Sequence, residues 1–250
     1  MTDTAPTSAE PAAGRGAEPV LIGCSHGTDN AHGRAAIRAL LDGVRAARPG
    51  LDVREAFVDV QEPRVAAVVE GALAEERAVV VAPLLLSAGF HVHVDIATAV
   101  AAPQAVAAAA LGPDARLAEL VAIRLREAGA RAGDAVVLAA AGSSDPRAAQ
   151  AVEQVAAGLR SAWTSGPVTV GYGAGCAPRV PDAVAAARRA GAHRVVVASY
   201  LLAPGFFHDR LLASGADLVT APLTPDRRLV DVVLDRFDRA ARALPQRDLV

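Results

Sequence analysis

At 250 residues, 52% apolar but only 3% aromatic, the chain is long enough for one large or two smaller packed domains, with a core built mostly from Ala, Val and Leu. Its 25 basic residues, every one an Arg, nearly balance 27 acids, and a formal net charge of −2 provides no global field for gathering nucleic acid or an anionic membrane. The two cysteines, Cys24 and Cys176, form no close pair, which argues against a zinc site or a redox motif and fits a reducing compartment.

Residues 1–18 are rich in Ala, Pro, Thr, Gly and Glu and lack the basic start and apolar stretch of a secretory signal, so they read as a disordered tail. Strand-like VLIGC at 20–24 precedes a helix through Ile37, Leu40, Leu41 and Val44 that ends at Pro49 and Gly50. Strands follow near 52–58, 78–83 and 105–110, separated by helices near 63–75, 94–102 and 114–129. Continuous apolar strands with helical crossovers imply a parallel sheet covered on both faces. After a turn at Gly133 and Asp134 the pattern restarts, with strands near 135–140, 167–171, 194–200 and 217–220. No apolar run reaches the roughly twenty residues of a membrane helix, so the expected location is the cytoplasm, without a membrane partner.

The second half repeats the first. Adding 115 places His26-Gly27-Thr28 on Ala141-Gly142-Ser143, carries Ile37, Leu40, Gly43 and Val44 onto Val152, Val155, Gly158 and Leu159, and superposes Pro63-Arg64-Val65 on Pro178-Arg179-Val180. An offset of 116 aligns Leu85-Leu86 with Leu201-Leu202 and Gly89-Phe90 with Gly205-Phe206. Agreement at four separate places is hard to obtain by chance, even in an Ala-rich chain. The unit is too long for a solenoid repeat. It predicts an α/β protein of two flavodoxin-like domains, each a parallel sheet of about four strands with helices on both faces, at 19–131 and 132–245, facing each other across a cleft; 246–250 form a short tail.

A duplicated fold keeps its core for packing reasons, so polar residues present in one copy only are the better functional candidates. Ala141 stands opposite His26, and Phe207 opposite His91, with His208 one residue further on. In a sheet of order 2-1-3-4 the strands preceding His26 and His91 are neighbours about 4.8 Å apart, close enough for two imidazoles to share one metal at roughly 2.1 Å each. His91 and His93 alternate, and in extended backbone they face opposite ways, so His91 is preferred and His93 kept as a substrate-side candidate. His32 and His193 read as solvated loop residues. Glu62 precedes Pro63 where Ala177 stands in the second half; it is either an acid favoured by the helix dipole or a site residue. GYGAG at 171–175 fails the dinucleotide pattern because Cys176 takes the last glycine position, the absence of lysine excludes a Walker loop, and no G-x-S-x-G elbow occurs.

With His26-Gly27-Thr28 after the first strand, Glu62-Pro63 after the second and Pro83 to Ile96, PLLLSAGFHVHVDI, after the third, the chain resembles the class II tetrapyrrole chelatases, specifically the long, duplicated sirohydrochlorin cobalt- and ferrochelatases, over about residues 19–243. Thr28 departs from the commoner Ser, and Ala97 from the Pro that often follows Asp-Ile. The resemblance implies that His26 and His91 act as metal ligand and base in an active site carried by the first half, the second being degenerate. It implies insertion of Fe2+ or Co2+ into sirohydrochlorin, for siroheme or cobalamin, by a lyase-type enzyme with no permanently bound cofactor, the divalent metal (Fe2+, Co2+ or Ni2+) being a substrate. Ser25, Thr28, Ser87 and Gly89 flank the histidines and are taken, with His93 and His208, as substrate contacts. Arg34, Arg64, Arg179 and Arg210 are candidate clamps for the substrate's carboxylates. The duplication supplies the half that a shorter protein gains by dimerising, so a monomer is expected. The alternatives are a metal-binding or metallochaperone protein without insertion activity, and a tetrapyrrole-binding module without metal.

Overall fold

A computed structural model describes residues 18–87 and 90–245, the side chains of 90–93 excepted. Most of the two expected tails, residues 1–17 and 246–250, lies outside the described residues. Glu18 is described, and its carboxylate accepts a hydrogen bond from Arg48 at 3.2 Å while its carbonyl accepts one from Arg77 at 2.9 Å.

The first half runs β1 (Val20–Ser25), α1 (Ala31–Ala47), β2 (Val53–Phe57), α2 (Val65–Ala74), β3 (Val79–Pro83), α3 (Phe90–Ala99), β4 (Ala105–Ala107) and α4 (Ala115–Glu127). The second runs β5 (Ala135–Ala140), α5 (Pro146–Ala162), β6 (Val168–Tyr172), α6 (Val180–Arg189), β7 (Val195–Tyr200), α7 (Phe206–Leu212), β8 (Leu218–Val219) and α8 (Arg227–Ala241). Two parallel sheets result, in the orders β2-β1-β3-β4 and β6-β5-β7-β8, as the alternating pattern predicts. The first four elements of each half superpose residue for residue at the offset of 115. The outer strands β4 and β8 are shorter than the apolar runs suggested, at three and two residues.

Side chains alternate across each sheet. Val20, Ile22 and Cys24 of β1 face an outer layer made by α2 and α3, whereas Leu21 faces α1 and the centre of the molecule. The second sheet does the same, with Val137 and Ala139 outward and Val136 and Leu138 inward. The inward residues of both halves merge into one continuous core.

That central core exists because the last helix of each half crosses to the other. α4 packs on α5 and β7, and α8 packs on α1, β3 and β4. An Arg on each crossing helix ties down the other half's loop. Arg236 of α8, nearly buried, donates to the carbonyls of Ala110 and Leu111 at 3.0 Å and of Pro113 at 3.3 Å. Arg124 of α4 donates to the carbonyls of Pro222, Leu223 and Pro225 at 3.0, 2.8 and 2.9 Å. Adding 112 maps Arg124 onto Arg236 and Leu111, Pro113, Asp114 and Arg116 onto Leu223, Pro225, Asp226 and Arg228, so the duplication extends through the crossing helices at a third offset. Both Asp residues are helix caps, accepting from the backbone N–H of Arg116 and Arg228.

Gly43 and Gly158, paired by the offset of 115, sit at the two crossings. A Cβ on Gly43 would lie 2.8 Å from Val230 Cγ2, and one on Gly158 would lie 3.0 Å from Ala118 Cβ. Each allows a backbone approach that a larger residue would block.

Candidate active site

β1 ends at buried Ser25, and His26 is the first residue beyond it, exposed at the carboxyl edge of the sheet. Gly27 turns the chain at φ +95°, with the Asp59 carbonyl and Val60 packed where a side chain would be. The backbone of His26 is fixed from the second strand, because Asp59 N–H donates to its carbonyl at 3.0 Å and Val58 N–H donates to Ser25 at 2.9 Å. Thr28 N–H donates to Gln61 Oε1 at 2.9 Å, Asn30 N–H donates to Thr28 Oγ1 at 3.1 Å, and the Asn30 side chain caps α1 by accepting from Gly33 N–H. The Thr28 hydroxyl is therefore engaged in starting the helix.

His26 opens on a cavity of about 800 Å³. Its walls come from both halves: the loop 25–30 and the loop around Val60 on one side, and residues 201–209 on the other. A second cavity of about 460 Å³ lies beside it, bounded by Leu84 to Ser87 and by Ala140 to Ser144, and His26 lines both. Duplication relates the two cavities, since the loop 140–144 is the counterpart of 25–29.

Ser25, Thr28, Arg34 and His208 line the larger cavity, and Ser87 lines the smaller. His208 has its Nε2 within 3.2 Å of the Thr220 carbonyl. His91 and His93 fall in α3, which starts four residues earlier than the sequence suggests; alternation in extended backbone therefore does not distinguish them. Gly89, with the side chains of both histidines, lies outside what is described.

Of the four arginines, only Arg34 reaches a cavity wall, approaching the Thr28 carbonyl at 3.5 Å. Arg64 donates to the Val58 carbonyl at 2.8 Å, and Arg179 repeats this bond with Gly173 at 2.7 Å, so the pair closes equivalent loops in the two halves. Arg210 lies over the Phe206 ring at 5.5 Å. Glu62 is largely exposed and turned onto its own helix start, accepting from Arg64 Nε and Arg64 N–H, each at 2.9 Å. It is absent from the walls of both cavities.

Three carboxylates, Asp29, Glu55 and Asp209, share the larger cavity with the single guanidinium of Arg34. At its edge, the Val60 N–H and Arg64 hold the Asp59 carboxyl below the usual carboxylate range. Cys24, one strand position behind Ser25, is buried, and burial pushes its thiol up to about 12, so it offers no thiolate at neutral pH. Among the described residues no group of three or more His, Cys, Asp and Glu side chains is placed to hold a metal. No described helix is long and apolar enough to cross a membrane.

The family model CbiX matches the chain twice, over residues 20–128 and 135–240. The chain belongs to the CbiX family. Both matches coincide with the halves that the internal repeat defines. No curated protein matches the sequence. Among solved structures, SirB from Bacillus subtilis with Fe3+ is 18% identical, covering 90% of this chain and 96% of its own, with a TM-score of 0.75. The sirohydrochlorin chelatase SirB from Bacillus subtilis subspecies spizizenii in complex with cobalt is 20% identical over the same shares, with a TM-score of 0.71. A structure described as CbiX, the terminal enzyme for biosynthesis of siroheme in denitrifying bacteria, is 22% identical, covers 89% of this chain and 99% of its own, and has a TM-score of 0.63. At these identities the likeness is one of fold, and it extends over both halves of the CbiX pair.

Residues the sequence did not single out are Gln61, which holds the His26 loop, Val60 on the cavity wall, and the crossing-helix pair Arg124 and Arg236. For the last two a signal existed, Asp-x-Arg at 114–116 and again at 226–228.

Proposed function

We propose that this member of the CbiX family inserts a divalent metal, Fe2+ or Co2+, into sirohydrochlorin, with His26 as a donor to the incoming ion. The observation that carries the reading is His26 itself. It is an exposed imidazole at the mouth of an 800 Å³ cavity, on a loop whose backbone bonds the second half reproduces around an alanine. A volume of that size suits a macrocycle and exceeds what a simple ion carrier needs. SirB and CbiX, the similar structures, are described with iron, cobalt and siroheme biosynthesis.

Insertion exchanges the metal's ligands. Two N–H bonds break and four metal–nitrogen bonds form, two to the deprotonated nitrogens and two to the imine-type nitrogens, while the divalent ion sheds its imidazole and water ligands and the two protons leave to bases. Neutral imidazole suits Fe and Co without the tight grip of a closed thiolate site, and it accepts a proton near neutral pH. His91, carried by the segment after β3, whose neighbour in the sheet is β1, is the proposed second group, as base or second ligand. Arg34 is the one proposed clamp that faces the cavity. Glu62, Arg64 and Arg179 serve the loop after each second strand.

The deciding test is anaerobic incubation of the pure protein with sirohydrochlorin and Fe2+, Co2+ or Ni2+, following the absorbance change on insertion. Metal binding without insertion would favour the metallochaperone reading. The proposed monomeric state rests on the crossing helices, which already unite two halves around one core. Sedimentation should return a single chain.

A further inference from the structure

Four large apolar side chains are exposed among the described residues, and two of them, Val60 at 46% and Phe206 at 67%, stand on walls of the one cavity, contributed by different halves. Val60 is also held in an unusual conformation. Its φ is +60°, in the left-handed region that a β-branched residue avoids, and its counterpart in the second half is Gly175 at φ +70°. The backbone turn is thus common to both halves, and only the first places a side chain on it. Glu76, the other non-glycine residue with positive φ among those described, is unbranched, stands at the exposed end of α2 opposite Gly191, and does not line this cavity.

A glycine would make the turn at less backbone cost, and a valine side chain half in water recovers only part of its burial energy in the free protein, chiefly against Gly27. Phe206 is similarly open, supported from behind by the edge of Phe207 at 5.5 Å and by Arg210 over its ring. The charges on the walls cannot substitute for these contacts, because even with Glu55 paired to Arg38 at 3.5 Å the carboxylates of Asp29 and Asp209 face one Arg34, whereas sirohydrochlorin is a polyanion.

We infer that Val60 and Phe206 form an apolar clamp that seats the tetrapyrrole ring system between the halves, Val60 being a positioning residue kept at the expense of backbone strain. The inference rests on the proposed function for the identity of the macrocycle. Ring contact carries the affinity, and the substrate's carboxylates stay toward solvent at the rim.

The test is titration of metal-free sirohydrochlorin into the wild-type protein, V60G and F206A, read by macrocycle absorbance, with thermal melts of each protein. The expected result is a Kd about tenfold higher in each variant, an interaction of ordinary apolar-contact size. The Tm of V60G should be equal to or above wild type, because its turn is relaxed. Varying salt from low to moderate concentration should shift the wild-type Kd by less than either substitution does. A V60G Kd within twofold of wild type overturns the clamp, and so does a Tm loss in V60G, which would make Val60 a packing residue. Wild-type protein that binds the macrocycle but inserts no metal defeats the proposed function while the titration still decides the clamp. Wild-type protein that binds no macrocycle defeats both.

Discussion

The loop after β1 and the loop after β5 share a backbone and differ in chemistry. In both, a glycine with positive φ follows the first loop residue, a hydroxyl at the next position accepts from the N–H two residues on, at 3.1 Å, and an N–H from the neighbouring loop secures the first loop carbonyl. On this common frame the first half sets His26, Arg34, Val60 and Gln61, and the second sets Ala141, Ala149, Gly175 and Cys176. Cys176 turns its Sγ inward to the Ser143 carbonyl. What both loops share therefore serves the fold, and what only one carries is the basis of the proposed site. Arg64 and Arg179 illustrate the first class, since each performs the same loop-closing bond.

The contrast is broken most severely at His26. H26A should lower the insertion rate by at least about a hundredfold, the scale of a lost acid–base or ligand group, with Tm unchanged because the side chain is exposed beyond the strand. Adding A141H to that variant should not restore activity, since Ala149 and Phe207 replace Arg34 and His91 there. Recovered insertion would mean that the halves are chemically equivalent.

Next come the crossings. G43L and G158L each push a side chain into the opposing helix and should cost about 1–3 kcal/mol, seen as a lower midpoint in urea with the slope little changed. A loss at one crossing only would show that the two helix exchanges are not equivalent in energy.

A smaller effect is expected from acid. Arg116 holds the Asp114 carboxyl below its usual range, helped by the Arg116 N–H and Arg236. A folded-state value below the unfolded one means stabilisation present above the ordinary carboxylate pKa, near 3.9, and lost as pH falls through the folded value. Melts from pH 6 to 3 should therefore drop less steeply in D114N than in wild type, and D114N should start lower. Parallel curves would remove Asp114 from the acid response.

Least affected should be E62Q, whose carboxyl faces Arg64 and solvent; the insertion rate is expected within about twofold of wild type, as for an exposed ion pair. A large loss would return Glu62 to the site.

Much of this was legible in the sequence because it is local or repeated. Strands of consecutive β-branched residues and helices of period 3.6 announce themselves within a dozen residues, and the offset of 115 pairs the halves before any coordinate is known. The exposure of His26 on the cavity walls agrees with its being singled out by an alanine counterpart. The Arg side chains were not legible, since a guanidinium on a long stem bonds a carbonyl, a neighbour's carboxylate or a ring according to what lies within about 6 Å. Arg64, Arg179 and Arg210 chose local partners, and Arg34 remained at the cavity. α3 starts at Phe90, before the sequence pattern suggests, because the strand preference of the β-branched and aromatic residues from Phe90 to Val94 is weak against tertiary context.

The sequence by itself determined the two parallel sheets, their strand order and the asymmetry at His26, since each follows from hydrophobic periodicity and from comparing one half with the other. Only the tertiary structure decided that α4 and α8 exchange partners, that Gly43 and Gly158 are kept for those crossings, and that Val60 stands on the cavity wall with Phe206. These facts depend on pairs of residues far apart in the chain, and nothing in local pattern or propensity specifies which distant surface a buried face will meet.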